Sequence, residues 1–233
     1  MGWLDLSRVP EPEVMDEAGE VEAYSSAAAQ TYLSAIDDTF VTHVQRLVAR
    51  RISAGQVGSA LDIGTGPGQI VRKLAAHLPG WLIVGVDRSP NMVREAISAR
   101  RTDDKLATRV DFLVADANRL PFGNGAFDLV LCNSVLHHFE NPATVLSEIA
   151  RVAKPKGAIL VRDLARPSRI AYPIHSRWGG RHYSGTMYKL YCDSLRAAYT
   201  FDEISAMLRQ SPLREARTFR RGRAHLGIER EAS

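Results

Sequence analysis

Short runs of consecutive apolar residues alternate along this chain with segments whose apolar residues recur every three or four positions. Uninterrupted apolar runs are typical of buried strands, and the longer periodic segments are typical of helices. The runs occupy residues 59–64, 81–87, 110–116, 127–133 and 158–164. Strands that are apolar throughout and alternate with helices predict a parallel sheet covered by helices on both faces, which is a doubly wound α/β fold.

The segments between these strands carry signals that begin and end helices. We predict helices over residues 24–52, 69–78, 90–101, 142–152 and 200–208. Ser89 followed by Pro90 suits an N-cap and a first helical position, and Thr200 with Glu203 forms the pattern of a capping box. The Lys-Pro-Lys-Gly segment after the fourth helix predicts its end, and the residues beyond the last helix suit a final pair of strands.

Two segments depart from this alternation. Residues 1–22 are acidic, and we expect them to be irregular because Pro10 and Pro12 oppose helix formation. Residues 166–199 are rich in arginine and aromatic residues and have only weak helical periodicity. The pattern therefore separates an acidic leader and N-terminal cap helix, residues 1–53, from one α/β domain, residues 54–233.

Composition narrows the class of protein. With 233 residues, 45% of them hydrophobic and 24% charged, the chain suits one globular domain with an elaboration. No apolar stretch approaches the roughly 18 residues of a membrane helix, and the acidic N-terminus does not resemble a signal peptide. Two cysteines, Cys132 and Cys192, disfavour a disulfide framework, so we expect a cytoplasmic protein.

Charge is distributed unevenly around a formal net charge of +4. Residues 1–40 hold one basic and nine acidic side chains, whereas residues 151–233 hold seventeen basic and seven acidic ones. A basic C-terminal third suits nucleic acid or an anionic substrate. The alternative is a solvated arginine-rich surface that the acidic N-terminus partly neutralises, and both interpretations stay open because no nucleic-acid motif accompanies the charge.

The glycine-rich segment 61–68 follows the first strand, where open α/β sheets bind ligands. A dinucleotide site needs glycine at position 69, which is Gln69, and no Gly-Lys-Ser/Thr of a P-loop follows. Asp62 favours a ligand with an ammonium group. Asp87 ends the second strand and suits a ribose diol, and Asp116 ends the third and suits an exocyclic amine. An amino-acid end, a ribose and an adenine together describe S-adenosylmethionine.

Five motifs in this order carry a family resemblance. They are LDIGTGPG, GVDRSPNMV, VADANRLPF, FDLVLCNSVLHHFENP and EIARVAKPKGAILVRD, within residues 59–164. The chain thereby resembles the class I S-adenosylmethionine-dependent methyltransferases, and among them the group similar to the ubiquinone/menaquinone C-methyltransferases. The resemblance implies a Rossmann-like, mostly parallel seven-stranded sheet whose last strand is antiparallel. Residues 54–233 would then be the methyltransferase domain, with 166–199 as a substrate lid after the fifth strand.

The resemblance also implies S-adenosyl-L-methionine as the cofactor, with S-adenosyl-L-homocysteine as product. The glycine loop would hold the methionine end, Asp87 the ribose and Asp116 the adenine. Together these expectations give the cofactor-binding residues Asp62, Gly64, Thr65, Gly66, Gly68, Asp87, Arg88, Met92, Asp116, Ala117 and Asn133. The competing structural roles are turn glycines, a helix-capping Asp87 and a surface-turn Asp116. The N-terminal helix with Tyr24 would close over the cofactor.

Adjacent histidines, His137 and His138, follow the fourth strand, beside the reactive methyl group in this type of fold. A metal site is disfavoured because no further ligand lies nearby at a suitable spacing, so we expect no metal. His137 could serve as a general base or orient the substrate, and the alternative is packing of both rings in the loop. We name His137, Arg162 and Asp163 as the catalytic candidates.

The acceptor is the least determined part of the function. Residues 133–136 are Asn-Ser-Val-Leu, where amino-group methyltransferases of the DNA-adenine type carry Asn/Asp-Pro-Pro-aromatic, so adenine and glutamine-amide N-methylation are disfavoured. We expect an anionic or aromatic small molecule bound by the arginines and tyrosines of residues 162–199. The alternatives are an RNA- or protein-directed methyltransferase, and a cofactor-binding protein without catalysis. A homodimer is compatible with the sequence.

Overall fold

A computed structural model describes residues 4–11, 18–28, 31–101, 106 and 108–232. Its strands form one sheet in the order β3-β2-β1-β4-β5-β7-β6. Strands β1 to β5 are mutually parallel, and β7 is antiparallel to both β5 and β6. The strand bounds are β1 Ser59–Ile63, β2 Leu82–Asp87, β3 Val110–Val114, β4 Phe127–Asn133, β5 Ala153–Leu164, β6 Arg217–Arg221 and β7 His225–Arg230. This confirms the Rossmann-like seven-stranded sheet.

Helices cover both faces of the sheet. Their bounds are α1 Ala18–Ala28, α2 Thr31–Leu47, α3 Ala49–Ser53, α4 Gln69–His77, α5 Pro90–Arg101, α6 Pro142–Val152, α7 Tyr172–Gly180, α8 Gly185–Ala197 and α9 Phe201–Gln210. A short 3₁₀ turn, Leu136–His138, follows β4. None of the described helices is both long and apolar enough to cross a membrane.

The apolar runs end in two separate cores because alternate strand residues point to opposite faces. Leu61, Val130 and Val161 belong to the core under α6 and α9, whereas Leu129 and Leu160 belong to the core under α2 and α4. All five side chains are fully buried or nearly so. Both faces are therefore covered, as uninterrupted apolar strands require.

Local sequence signals correctly predicted where two helices begin. The Ser89 hydroxyl accepts a hydrogen bond from the backbone N–H of Met92 at 3.2 Å, which caps α5. At α9, Thr200 accepts from the Glu203 backbone N–H and the Glu203 carboxylate accepts from that of Thr200, which completes the capping box. These contacts satisfy backbone donors that a helix start leaves without partners.

The N-terminal and lid predictions needed correction. The helix expected over residues 24–52 is three helices, α1 to α3, and the first begins at Ala18, inside the segment we expected to be irregular. Residues 166–199, which showed weak periodicity, contain two helices, α7 and α8. Their apolar faces meet each other and the N-terminal segments rather than one continuous core, so the usual helical pattern is diluted.

Candidate active site

The loop after β1 has a backbone that favours glycine. Gly64, Gly66 and Gly68 have φ angles of 70°, 53° and 79°, in the left-handed region. A Cβ atom at Gly64 would lie 2.5 Å from Cγ2 of Val135, which belongs to the segment after β4. Because Gly64 has no side chain, the loops after β1 and β4 can approach each other closely. They meet where the strand order reverses, which is the usual ligand-binding crevice of such sheets.

Asp87 fixes this loop from the end of β2. Its Oδ2 accepts a hydrogen bond from the backbone N–H of Gly66 at 2.8 Å, and its Oδ1 accepts one from Ser89 at 2.9 Å. The carboxylate thus joins the glycine loop to the start of α5. Each carboxylate oxygen can accept more than one hydrogen bond, so Asp87 retains acceptor capacity toward a ligand.

A first cavity, the loop cavity, opens beside these residues. Seven of the eleven predicted cofactor residues line it: Gly64, Gly66, Asp87, Arg88, Met92, Asp116 and Ala117. The remaining lining residues are Tyr24, Ile63, Val86, Ala115, Asn118, Ser134, Val135, His138 and Phe139. Sequence reasoning had named Tyr24 as a lid over this region. It missed Asn118 and Ser134, although each directly follows a residue that was named, Ala117 and Asn133 respectively.

Four predicted cofactor residues, Asp62, Thr65, Gly68 and Asn133, do not line the loop cavity. Asp62 and Thr65 are buried behind it. Gly68 caps the start of α4 in a left-handed conformation. The amide oxygen of Asn133 accepts a hydrogen bond from Nε of Arg162 at 2.8 Å, which directs it toward the sheet interior.

The electrostatic potential behind the loop cavity is negative. Burial raises the pKa of Asp62 to about 7; the charges of Asp87 and Asp37 add to this, and a hydrogen bond from Thr65 opposes it. Burial likewise raises the pKa of Asp37 to about 6, against the attraction of Lys73 and other cations. Grouped carboxylates of this kind favour a positively charged ligand, which would lower these pKa values again.

Asp116 and Ser134 both line the loop cavity. Asp116 Oδ1 accepts hydrogen bonds from the backbone N–H of Asn118 at 2.8 Å and from its amide at 3.0 Å, which orders the turn after β3. Ser134, directly after β4, has a φ angle of 56°, the one left-handed non-glycine residue among those described. Such a conformation costs free energy and is often retained at functional sites.

A second cavity of about 140 Å³, the lid cavity, adjoins the first. Tyr24, Ser134 and His138 line both. The other lining residues are Glu11, Glu20, Tyr32, Leu33, Ile36, His137, Leu164, Tyr183, Met187, Leu190, Tyr191, Ser194, Ala224 and His225. Six of its seventeen lining residues are aromatic or aliphatic side chains of α2 and the lid helix α8. The shared residues make the two cavities neighbouring compartments of one site.

His137 lies in the wall of the lid cavity and contacts the end of β5. Its Nδ1 is 2.6 Å from Oδ1 of Asp163, and its backbone N–H donates to Oδ2 of the same carboxylate at 2.9 Å. Both side chains are at most 2% exposed. The His137 ring is therefore held by a buried carboxylate from the neighbouring strand, and not by packing in its own loop alone.

The acidic leader reaches the same histidine from outside the sheet. Glu11 Oε1 lies 3.0 Å from Nε2 of His137 and 3.2 Å from Nδ1 of His138. One ligand atom from each of these three residues lies within 4.8 Å of the others. The expectation of no metal had considered ligands close in sequence, and Glu11 is distant in sequence, so the spacing argument did not include it.

Arg162 does not belong to this site. Its side chain is fully buried and directed to the other face of the sheet, where it donates to the Thr39 hydroxyl at 2.8 Å and lies 4.7 Å from the centre of the Phe40 ring. It lines neither cavity. This geometry does not support its selection as a catalytic candidate, because adjacent residues of a strand point to opposite faces and Asp163, which contacts His137, lies on the other face.

The lid arginines were also expected to contact the substrate. Among the described residues that line the lid cavity, none is an arginine or a lysine. Arg166 instead donates to the Ala198 carbonyl and the Glu203 carboxylate. The prediction that arginines bind an anionic acceptor therefore lacks support, whereas the aromatic part of the prediction agrees with Tyr183 and Tyr191 in the wall.

Similarity to known proteins agrees with this geometry. The methyltransferase domain family matches residues 61–161. The ubiquinone/menaquinone biosynthesis C-methyltransferase UbiE of Syntrophotalea carbinolica is 30% identical over 182 residues, which cover 74% of this chain and 76% of that protein. UbiE of Desulfotalea psychrophila is 32% identical over 132 residues, 56% of this chain and 51% of that protein. The chain spans about half the length of several curated relatives that it matches.

Solved structures share the fold. The plantazolicin methyltransferase BpumL, crystallised with a triazolic desmethylPZN analogue and SAH, superposes with a TM-score of 0.69 at 17% identity, covering 93% of this chain and 92% of that one. A SAM-dependent methyltransferase from Aquifex aeolicus gives a TM-score of 0.55 at 20% identity, covering 74% and 80%. Fold, motif order and the extended match to UbiE place this chain in the class I S-adenosylmethionine-dependent methyltransferase family.

Proposed function

We propose that this protein transfers the methyl group of S-adenosylmethionine to a small-molecule acceptor that binds in the lid cavity. The observation that carries the proposal is the adjacency of the two cavities. Seven of the predicted cofactor residues line the loop cavity, His137 lines the lid cavity with Asp163 bonded behind it, and Ser134 and His138 line both. A donor and an acceptor bound in these compartments would meet at the end of β4.

The residues of the loop cavity fit S-adenosylmethionine. The carboxylates of Asp62, Asp87 and Asp37 provide negative charge for a cationic ligand. The glycines of the loop have no side chains, so the ligand can approach the backbone closely. Asp87 would bind the ribose hydroxyls, and Asp116 with Asn118 would bind the adenine edge. When bound, the cofactor supplies an electrophilic methyl carbon, whose bond to sulfur breaks as the acceptor's bond forms and whose electron pair stays on sulfur.

His137, with Asp163 as its partner, would accept the proton that the acceptor loses. Asp163 accepts the Nδ1–H of His137, which leaves Nε2 as the basic nitrogen facing the lid cavity. A neutral His137 with this tautomer can take a proton from an acceptor hydroxyl at Nε2. The buried carboxylate then stabilises the imidazolium that forms. Tyr24, Tyr183 and Tyr191 would exclude water and orient the acceptor.

Two measurements test this function. Calorimetry should show S-adenosylhomocysteine binding to the wild-type protein, and the absence of binding would refute the proposal. Methyl transfer from radiolabelled S-adenosylmethionine into a cell extract, fractionated into small molecules, RNA and protein, should label the small-molecule fraction. Label confined to RNA or protein would instead support the alternative class of acceptor.

A further inference from the structure

Glu11 places a carboxylate on the nitrogen of His137 that faces the lid cavity. Besides its contacts with His137 and His138, its Oε1 accepts a hydrogen bond from the Ser194 hydroxyl at 3.0 Å. The Glu11 side chain is 8% exposed, so its charge is largely removed from water. Two histidines and a serine hydroxyl therefore surround an oxygen atom supplied by the leader rather than by the sheet.

The leader is held at this place by contacts outside the sheet. Arg8 donates to the Ala197 carbonyl at 2.7 Å and to the His137 carbonyl at 2.9 Å. The backbone N–H of Val9 donates to the Arg196 carbonyl at 3.1 Å. These are individual hydrogen bonds to the end of the lid helix and to one loop, so the leader can leave without breaking a strand pairing.

The Glu11 contact opposes the proton transfer proposed for His137. Burial by itself would lower the pKa of His137, but the carboxylates of Asp163 on Nδ1 and Glu11 on Nε2 outweigh it and raise the pKa to about 10. The His138 ring, at 4.3 Å between centroids, and Arg8, at the His137 carbonyl, are the other titratable groups beside it. An imidazole that keeps its proton cannot accept another, so Glu11 must leave before His137 serves as a base.

We propose that Glu11 occupies the acceptor's subsite, and that the acceptor is a phenol or an enol whose hydroxyl replaces the Glu11 carboxylate beside His137, His138 and Ser194. This inference rests on the proposed function. Departure of Glu11 removes one of the two carboxylates that raise the pKa of His137, although Asp163 stays. A His137 that has then released its Nε2 proton to solvent takes the hydroxyl proton of the acceptor. The oxygen of the acceptor, or the ring carbon conjugated with it, becomes the nucleophile.

The walls of the lid cavity favour this class of acceptor. Tyr32, Tyr183 and Tyr191, with Leu190, offer faces suited to a planar ring. A permanently ionised acceptor would find no arginine or lysine among the described lining residues, whereas a neutral hydroxyl needs none. Burial and the charge of Arg162 lower the pKa of His225, which also lines the cavity, to about 4, so that His225 adds no positive charge at neutral pH.

Binding of three probes of equal size tests the subsite. Calorimetry on the protein saturated with S-adenosylhomocysteine would compare 1-naphthol, 1-naphthylamine and 1-naphthoic acid for wild type, Glu11→Ala and the exposed control Glu22→Gln. We expect Glu11→Ala to bind 1-naphthol about ten-fold more tightly than wild type, because no internal carboxylate competes. The amine and the acid should gain less, and Glu22→Gln should match wild type.

A spectroscopic measurement tests the contact between Glu11 and His137 without an acceptor and without turnover. The imidazole ¹⁵N resonances of His137 should titrate at lower pH in Glu11→Gln than in wild type, and Glu22→Gln should leave them unchanged. An unchanged His137 titration in Glu11→Gln would overturn the proposed pairing in solution.

Other outcomes would also overturn the proposal. Equal or weaker 1-naphthol binding by Glu11→Ala would show that Glu11 does not compete with the acceptor. A larger gain for the amine or the acid would assign the subsite to another chemistry. Tight binding of ZnCl₂ by wild type, lost in Glu11→Gln and His138→Ala, would make the cluster a metal site. Failure of wild type to bind S-adenosylhomocysteine refutes the proposed function instead, and it is measured separately.

Discussion

Oδ1 of Asp163, at the end of β5, lies 2.6 Å from Nδ1 of His137 in the turn after β4, and neither side chain is more than 2% exposed. The two residues are 26 positions apart and come together because β4 and β5 are parallel neighbours whose carboxyl ends meet at one edge of the sheet. A carboxylate that fixes the tautomer of a histidine beside a cavity is an arrangement suited to proton transfer.

Replacing Asp163 by asparagine should reduce turnover with the acceptor that the labelling experiment identifies. The amide no longer provides a charged acceptor for the Nδ1–H, so we expect a loss of about 10²- to 10⁴-fold in kcat. S-adenosylhomocysteine affinity should stay unchanged because Asp163 lines neither cavity. A kcat within about threefold of wild type would make the pair structural rather than catalytic.

The same pair should make stability depend on pH. The pKa of His137 is about 10 in the folded protein, above its ordinary value of 6.5. Its contribution is therefore complete below about pH 6.5 and is lost as pH rises toward 10. His137→Gln should reduce the free energy of unfolding by roughly 2–4 kcal/mol at pH 6 and by much less at pH 10.

Urea unfolding at several pH values measures this difference. The exposed His77→Gln serves as the matched control and should show only a small difference. A His137→Gln difference that stays constant up to pH 10 would contradict an imidazolium held between carboxylates.

Asp87→Ala should weaken cofactor binding by about 10- to 100-fold, because it removes charge-assisted hydrogen bonds and releases the N–H of Gly66. Calorimetry with S-adenosylhomocysteine measures the effect. Asp111→Ala is the control, since that carboxylate is 63% exposed and pairs with Arg100 outside the cavity. Equal affinities for the two variants would remove Asp87 from the cofactor site.

Gly64→Ala should destabilise the loop after β1. A left-handed backbone costs an alanine about 1–2 kcal/mol, and the added Cβ would lie 2.5 Å from Val135 Cγ2. We expect the free energy of unfolding to fall by about 2 kcal/mol or more. Gly123→Ala, whose Cβ would meet no atom within 4 Å, should change it by less than about 0.5 kcal/mol. Similar melting curves for both variants would contradict the close approach of the two loops.

Arg162→Met should affect folding more than cofactor binding. The substitution leaves the half-buried Asn133 amide oxygen and the Thr39 hydroxyl without the Arg162 donor, so we expect a loss of about 2–4 kcal/mol in the free energy of unfolding. The exposed Arg209→Met is the control and should change little. If the variant has wild-type stability but fails to bind S-adenosylhomocysteine, Arg162 belongs to the active site after all.

Much of the cofactor site could be predicted from the sequence because its residues follow strands directly. Gly64, Asp87 and Asp116 each stand just beyond an apolar run, and the carboxyl ends of parallel strands meet at one edge. The acceptor site could be predicted only in part: His137 follows the fourth strand and Tyr191 belongs to the predicted lid, whereas nothing in the sequence placed Glu11 beside them. Their residue types are common, and no spacing links them.

The sequence by itself determined the alternation of strands and helices, the glycine loop and the acidic residues beside it, since each depends on local periodicity or on a backbone conformation of one turn. The tertiary structure decided which face of β5 meets the candidate site: Asp163 contacts His137, and Arg162 points to the opposite core. It also decided the environment of His137, because burial and the approach of Asp163 and Glu11 set its charge. Interactions between segments far apart in sequence depend on packing, so local sequence patterns do not indicate them.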